Sequence, residues 1–146
     1  MMIALASDHA GFEYKERIKS LLNGLNLPYQ DFGTGSKDST DYPDWGHRAS
    51  EAVSSGRCDR AILVCGTGIG MSIVANKHRG IRAAVCESVT AARLSRQHNN
   101  ANVLAIGERI TGWESVVDIV GTFLSTAFEG GRHEKRIEKI HSLTNL

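Results

Sequence analysis

Short apolar runs alternate with amphipathic stretches along the whole chain and predict five strands separated by helices. The predicted strands lie at residues 2–7, 28–33, 60–65, 81–86 and 102–107. The first run is continuously apolar rather than alternating, which is typical of a strand buried on both faces of a sheet. The pattern therefore favours a parallel sheet covered by helices.

Helical periodicity appears in the segments between these runs. Five apolar residues recur at helical spacing within and just after a helix predicted over 11–23, and they predict one buried stripe. They are Tyr14, Ile18, Leu21, Leu22 and Leu25. Further helices are predicted around 45–53, 71–79, 88–99, 112–128 and 132–143. Residues 34–44 are predicted to form a polar loop, long enough to be suspected of a function.

This alternation predicts an α/β fold: a Rossmann-like three-layer sandwich with a five-stranded parallel sheet, forming a single domain over 1–146. An extra C-terminal helix within 130–146 has a thin apolar stripe, Ile137 and Ile140, and is expected to dock on a partner subunit. Ligands of such folds bind at the carboxyl ends of the strands. That rule places residues 7–9, 65–70 and 98–99 near one crevice.

Composition narrows the classes of function. The chain has 146 residues, 41% hydrophobic and 23% charged, and a net charge of +1 argues against nucleic acid or a membrane surface as the main partner. No apolar run approaches the roughly 20 residues that span a bilayer. The N-terminus lacks a charged region and meets Asp8 too early for a signal peptide. Three scattered cysteines without CxxC spacing fit a reducing compartment, so we expect a cytoplasmic protein.

The stretch "AILVCGTGIGMS" at 61–72 places three glycines directly behind a predicted strand. A dinucleotide-binding loop requires a third glycine where Met71 stands, and no Lys-Ser/Thr follows as in a phosphate-binding P-loop. These departures count against a nucleotide-binding sensor module, which stays open as an alternative. The other interpretation is an anion cradle of converging backbone N–H groups, able to hold a phosphate or stabilise an oxyanion.

The partial positive charge of these N–H groups favours a thiolate beside them, which makes Cys65 a candidate base or nucleophile. The alternative is that Cys65 is a small buried residue that ends a strand, as Cys86 is predicted to be. Cys58, in a polar turn, is expected to have no chemical role.

Further candidates lie at the ends of other elements. Asp8 and His9 follow the first strand, where an acidic side chain either meets a ligand or caps a helix. His98 closes the fourth helix, and a histidine there also complements the helix C-terminus. Arg132 and Arg136 share one helix face and could hold a phosphate or be a solvated pair. No metal site is expected, because the remaining histidines lack ligand spacing. These are His47, His78, His133 and His141.

Taken together, these segments resemble the type B ribose-5-phosphate isomerases, a family that also includes the galactose-6-phosphate isomerase subunits. The matching segments span nearly the whole chain in the family's order. They are "SDHAGF" at 7–12, "DYPD" at 41–44, "CGTGIGMSIVANK" at 65–77, "GIRAAV" at 80–85, "LSRQHNNANVLAIGER" at 94–109 and "EGGRHEKRI" at 129–137. The resemblance implies interconversion of ribose 5-phosphate and ribulose 5-phosphate through an enediol(ate), without metal or cofactor, in a homodimer or dimer of dimers. A hexose-6-phosphate isomerase acting on allose or galactose 6-phosphate is the alternative that it leaves open.

The resemblance also implies roles for individual residues. Cys65 would move the proton between C2 and C1, and Thr67 would assist transfer between the two oxygens. His98 with Asp8 would open the furanose ring. The remaining implied roles are substrate binding. The backbone N–H groups of the loop would stabilise the enediolate, at Gly66, Gly68, Gly70 and Ser72. Tyr42 and Asn99 would contact sugar hydroxyls. The phosphate would be held by four residues, some of them supplied by the partner subunit: His9, Arg109, Arg132 and Arg136.

Overall fold

The computed structural model describes all 146 residues, with strands and helices in regular alternation. The strands are β1 (Ile3–Ser7), β2 (Tyr29–Asp31), β3 (Arg60–Cys65), β4 (Ala83–Val85) and β5 (Val103–Gly107). The helices are α1 (Phe12–Gly24), α2 (Tyr42–Ser54), α3 (Ile69–Ala75), α4 (Val89–Asn99), α5 (Trp113–Ser125) and α6 (Arg132–Thr144). A short 3-10 turn over His9–Gly11 precedes α1.

The five strands form one parallel sheet in the order β2-β1-β3-β5-β4. This confirms the predicted three-layer α/β architecture with its extra C-terminal helix. The chain runs from β1 to β2 on one side and then crosses back to β3 on the other side of β1, so the strand order reverses between β1 and β3. A crevice opens at such a reversal, outside the carboxyl ends of the two strands. In this chain those ends are Ser7 and Cys65.

The two faces of the sheet carry side chains of different size. One face packs large residues such as Leu5, Ile62 and Ile106 against α1, α4 and α5. The other face presents mainly alanines and Cys65 to α2 and α3, with Leu63 and Val103 as its larger residues. Since small side chains allow close approach, α2 and α3 can lie near the sheet, and the loop between β3 and α3 lies beside the crevice.

A buried lysine ties α1 to the edge strand β2. Lys15 has no exposed side-chain surface, and its Nζ lies 2.6 Å from Oδ2 of Asp31 and 3.1 Å from Oε1 of Glu16. Burial alone would raise the pKa of Asp31, but hydrogen bonds from Lys15 and Lys19 outweigh it and hold that pKa below its ordinary value. The ion pair between Lys15 and Asp31 therefore makes the packing of β2 against α1 depend on the ionisation of Asp31.

Several predicted boundaries differ from the structure. Helix α2 begins at Tyr42 rather than near Trp45, because Pro43 fits the first turn, where its missing N–H needs no partner. Helix α3 begins inside the glycine loop at Ile69 and ends at Ala75, and the chain then turns through Gly80 at φ +73°. Leu25 lies beyond the end of α1 and is 48% exposed, so it does not belong to the buried stripe.

Helix α6 is the peripheral element of the fold and packs on α4. Ile137 is buried there, whereas Ile140 and Leu143 remain exposed. None of the helices has the length and apolar composition that crossing a membrane requires.

Candidate active site

A pocket of about 240 Å³ opens at the carboxyl ends of β1 and β3. Its lining comes from the segments that follow β1, β3 and β5, together with the first residue of α2. The lining residues are Asp8, His9, Ala10, Tyr42, Cys65, Gly66, Thr67, Gly70 and Arg109. The structure therefore gathers into one cavity chemical groups that are widely separated in the sequence.

Cys65 is the last residue of β3 and is 5% exposed. The backbone N–H of Gly68 donates a hydrogen bond to its Sγ at a distance of 3.1 Å. A donor aimed at sulfur stabilises the negative charge of a thiolate. Cys65 thus ends a strand in the core and also presents a polarised sulfur to the pocket. Cys58 and Cys86 are buried as well, and all three cysteines are free thiols.

The N–H groups of the glycine loop fall into two sets. Those of Gly68, Ile69 and Ser72 already donate within the chain, to Sγ of Cys65, to Oγ1 of Thr67 and to the carbonyl oxygen of Gly68, respectively. The loop uses the N–H groups of Gly68 and Ser72 to hold the thiol and to begin α3, and the expectation that they also face a ligand stays a prediction. Four N–H groups have no acceptor within the chain and form the remaining cradle. They belong to Gly66, Thr67, Gly70 and Met71.

Two glycines are required by the geometry of the loop. Gly68 has φ +78°, and a Cβ there would lie 3.0 Å from the backbone of Ile106. A Cβ on Gly70 would lie 2.8 Å from the ring of Tyr42. The aromatic ring therefore rests directly on the loop and limits the space above it. A pocket of this volume favours a small ligand over a dinucleotide.

Asp8 and His9 occupy the opposite wall. Oδ1 of Asp8 accepts hydrogen bonds from the N–H groups of Ala10 and Gly11, both at 3.0 Å, so this carboxylate is a cap. Its Oδ2 remains available to the pocket. Nδ1 of His9 lies 3.2 Å from both the backbone N and the carbonyl oxygen of Thr40, so Thr40 holds the imidazole ring and leaves Nε2 without a partner in the chain.

The segment after β5 closes the third side of the site. The N–H groups of Glu108 and Arg109 donate to the carbonyl oxygens of Cys65 and Gly66, so this segment lies alongside the glycine loop. The guanidinium of Arg109 lies beside Gly66. Burial raises the pKa of Glu108, whose Oε2 accepts a hydrogen bond from the N–H of Tyr14. Sequence reasoning missed Glu108, although its place directly after a strand and before Arg109 was a usable signal.

His98 and Asn99 do not lie in this crevice. They end α4, which runs from the carboxyl edge of the sheet back to the amino edge, where β5 begins. Within one chain they are not beside Cys65, because they end a helix rather than a strand, and their role at the pocket stays a prediction. Asn99 lines a different cavity of about 420 Å³ between β4, α4 and α6. Arg132 and Arg136 are exposed on α6 and also lie outside the lining of the Cys65 pocket.

His98 instead forms a cluster with Glu129 and His133. The two imidazole rings are stacked with centroids 4.4 Å apart and planes inclined by 9°. The possible ligand atoms of the three residues lie within 4.8 Å of one another. Two imidazoles and a carboxylate are a familiar zinc set, but the nitrogen lone pairs of stacked rings lie in two separate, nearly parallel planes, whereas a shared metal needs them to converge on one point. Stacked in this way, the cluster is better suited to holding the imidazole ring of His98 in one orientation than to binding a metal.

Comparison with known proteins agrees with this geometry. A family model described as Ribose/Galactose Isomerase matches residues 3–140. The chain belongs to the ribose/galactose isomerase family. Members of that family match over nearly their whole length.

Ribose-5-phosphate isomerase B of Escherichia coli strain K12 is 46% identical over 141 residues, which covers 97% of this chain and 95% of that protein. D-erythrulose-4-phosphate isomerase of Pectobacterium atrosepticum is 41% identical over 143 residues, which covers 96% of this chain and 93% of that protein. A solved structure of Clostridium thermocellum ribose-5-phosphate isomerase B superposes with a TM-score of 0.98 at 50% identity, covering 99% of this chain and 98% of that one. The ribose/galactose isomerase family thus accounts for the complete fold.

Proposed function

We propose that this protein is a ribose-5-phosphate isomerase that interconverts D-ribose 5-phosphate and D-ribulose 5-phosphate in the cytoplasm. Membership in the ribose/galactose isomerase family supports the reaction class. The observation that carries the proposal is the sulfur of Cys65, held by the N–H of Gly68 inside a small pocket that Asp8, His9 and Arg109 also line. The free thiols fit the reducing compartment.

Cys65 is the base of the reaction. As a thiolate it removes the proton from C2 of the open-chain aldose, and the electrons move into the C1–O1 carbonyl to give an enediolate. The same thiol then returns the proton to C1, while Thr67 helps a proton pass between the oxygens on C1 and C2. Proton transfer next to a carbonyl needs such a base and donors for the developing charge. The unpaired N–H groups of Gly66, Thr67 and Gly70, which line the pocket, are placed to supply those donors.

The phosphate is held away from the reacting carbons. Nε2 of His9 and the guanidinium of Arg109 lie at the pocket and offer donors to an anion. A bound phosphate fixes the rest of a flexible sugar phosphate in register with Cys65, so that binding energy contributes to the reaction. Tyr42, resting on Gly70, is placed to contact a sugar hydroxyl.

Ring opening requires a second copy of the chain. In ribose 5-phosphate the anomeric hydroxyl loses a proton, the C1–O4 bond breaks, and O4 gains a proton. Asp8 lies in the pocket, but His98, Asn99, Arg132 and Arg136 lie on α4 and α6 outside it. A partner subunit brings these residues to the pocket in a homodimer or dimer of dimers. The exposed Ile140 and Leu143 of α6 fit such docking.

A second candidate is isomerisation of sugar phosphates of another chain length. The family description includes galactose, and the Pectobacterium relative is named for a four-carbon substrate. Comparison of kcat/KM on ribose 5-phosphate, allose 6-phosphate, galactose 6-phosphate and erythrulose 4-phosphate decides between these substrates. The proposal expects ribose 5-phosphate to have the highest value.

The direct test is turnover by the purified protein in the presence of EDTA, which removes adventitious metal. Ribose 5-phosphate should be converted to ribulose 5-phosphate at a rate proportional to enzyme concentration. Binding of NAD or ATP in calorimetry without turnover of any sugar phosphate would support a nucleotide sensor and contradict the proposal.

A further inference from the structure

The stacked pair of His98 and His133, here called the histidine stack, gives the ring of His98 a fixed orientation. His98 is 40% exposed at the end of α4, where an unsupported imidazole could rotate freely. The side chain of His133 is only 8% exposed on α6, and its ring lies flat against that of His98. A buried ring pressed against an exposed one restricts rotation about χ2 of the exposed ring. The stack therefore acts on a residue that the proposed function requires.

Glu129 completes the arrangement. Its Oε2 lies 3.9 Å from Nε2 of His98 and 3.8 Å from Nε2 of His133. The backbone N–H of Glu129 donates to the carbonyl oxygen of Gln97 at 3.1 Å, which fastens this segment to the last turn of α4. These distances are too long for a hydrogen bond, so the carboxylate acts through its negative charge, which favours a proton on Nε2 of His98. Nδ1 is then the nitrogen left to accept a proton.

His133 is suited to stay neutral in this role. Burial lowers the pKa of His133, and the positive charges of His98, Arg132 and Arg136 lower it further. A neutral neighbour can stack on His98 without repelling the positive charge that His98 acquires when it accepts a proton.

We infer that Glu129 and His133 are positioning residues that set the orientation and tautomer of His98 for opening the furanose ring. This inference rests on the proposed function, in which His98 exchanges a proton with the cyclic sugar. Neither residue needs to touch the substrate. Their effect should therefore be confined to substrates that enter as a ring.

Ribulose 5-phosphate separates ring opening from proton transfer. Its C5 oxygen carries the phosphate, so it cannot close a furanose ring and enters the site as an open chain. Exchange of its C1 proton with D2O, followed by NMR, needs Cys65 but not ring opening. Conversion of ribose 5-phosphate needs both steps. The ratio of the two rates reports the ring-opening step alone.

The variants are Glu129→Gln and His133→Ala, with Glu138→Gln on the exposed face of α6 as the matched control. We expect both variants to lower kcat for ribose 5-phosphate about ten- to a hundredfold, within the range that general acid–base catalysis supplies. C1 exchange should stay within about twofold of wild type, a difference worth less than ~0.5 kcal/mol. His133→Phe keeps a flat ring on His98 and should recover most of the loss caused by His133→Ala.

Three results would overturn the inference. Unchanged conversion by Glu129→Gln would show that the carboxylate is not needed. An equal fall in conversion and exchange would indicate a general structural defect, which melting of Glu129→Gln, an exposed site, checks independently. Absence of both conversion and exchange in wild type would overturn the proposed function, and the inference with it.

Discussion

Gly68 donates its backbone N–H to the sulfur of Cys65 at 3.1 Å, so the glycine loop is folded around the thiol that it follows. This bond exists because Gly68 adopts φ +78°, which turns the chain back towards the end of β3. The glycines therefore do more than leave room for a ligand. One of them holds the group that the proposed reaction uses as its base.

Replacement of Gly68 tests this relationship. Gly68→Ala forces a side chain into a left-handed conformation, which costs about 1–2 kcal/mol, and brings its Cβ to 3.0 Å from Ile106. This strain should move the backbone N–H of residue 68 away from Sγ of Cys65. Because a hydrogen bond to a charged group contributes about 1.5–3 kcal/mol, we expect kcat to fall about ten- to a hundredfold. The rate of alkylation of Cys65 by iodoacetamide should fall as well.

Gly80→Ala is the matched control. Gly80 has a similar φ of +73°, but a Cβ added there would meet no atom within 4 Å, and Gly80 lies outside the pocket lining. It should lose comparable stability while retaining its activity. Equal losses of activity in the two variants would mean that backbone strain, and not the bond to sulfur, limits the reaction.

The contact between Gly70 and Tyr42 sets the shape of the pocket. A Cβ at Gly70 would lie 2.8 Å from the ring of Tyr42, so Gly70→Ala must displace the ring. We expect KM for ribose 5-phosphate to rise about tenfold, which corresponds to ~1.4 kcal/mol of lost binding. In a double-mutant cycle, Gly70→Ala should have little further effect once Tyr42→Ala has removed the ring. Additive effects would contradict the steric explanation.

Arg136 tests the contribution of α6 to phosphate binding. Loss of a charge-assisted hydrogen bond costs about 1.5–3 kcal/mol, so Arg136→Ala should raise KM about ten- to a hundredfold with little change in kcat. Lys135→Ala removes a neighbouring exposed charge and should leave KM unchanged. A decrease confined to kcat would count against the phosphate-anchoring role.

The ion pair between Asp31 and buried Lys15 predicts a pH-dependent stability. The folded-state pKa of Asp31 lies below its ordinary value of 3.8, so its stabilisation is present above about pH 4 and is lost as the pH falls through the folded-state pKa. Asp31→Asn leaves Lys15 without this partner and should lower the free energy of unfolding at pH 7 by about 3 kcal/mol.

Urea unfolding at pH 7 and pH 3 measures this effect. The difference between wild type and Asp31→Asn should be smaller at pH 3 than at pH 7, because below about pH 4 Asp31 takes up a proton more readily in the unfolded chain than in the folded one. Asp118→Asn, at an exposed carboxylate on α5, should change stability little at either pH. A difference of equal size at both pH values would show that the ion pair is not its origin.

The order of elements and the crevice could be predicted from the sequence, because buried parallel strands leave long apolar runs and their carboxyl ends share one edge. Asp8, Cys65 and Arg109 each follow or end a strand, and the structure brings them together. His98 follows a helix that runs back to the amino edge, so the same rule fails for it. No local pattern indicates which residues a second copy would bring to the pocket.

The use of individual N–H groups was also beyond sequence reasoning. The glycine spacing predicts a cradle, but only the folded loop shows that Gly68 and Ser72 donate within the chain. The partners of His98 were hidden for a related reason. Glu129 precedes α6 and His133 lies within it, and their approach to α4 depends on how α6 packs.

The proposed reaction depends above all on Cys65 as its base. Cys65→Ala should abolish both conversion of ribose 5-phosphate and exchange of the C1 proton of ribulose 5-phosphate with D2O, while leaving binding of the sugar phosphate largely intact in calorimetry. Cys58→Ala, which changes another buried thiol, should retain both reactions. C1 exchange by Cys65→Ala is the decisive experiment: we expect none, whereas exchange close to the wild-type rate would show that another group is the base.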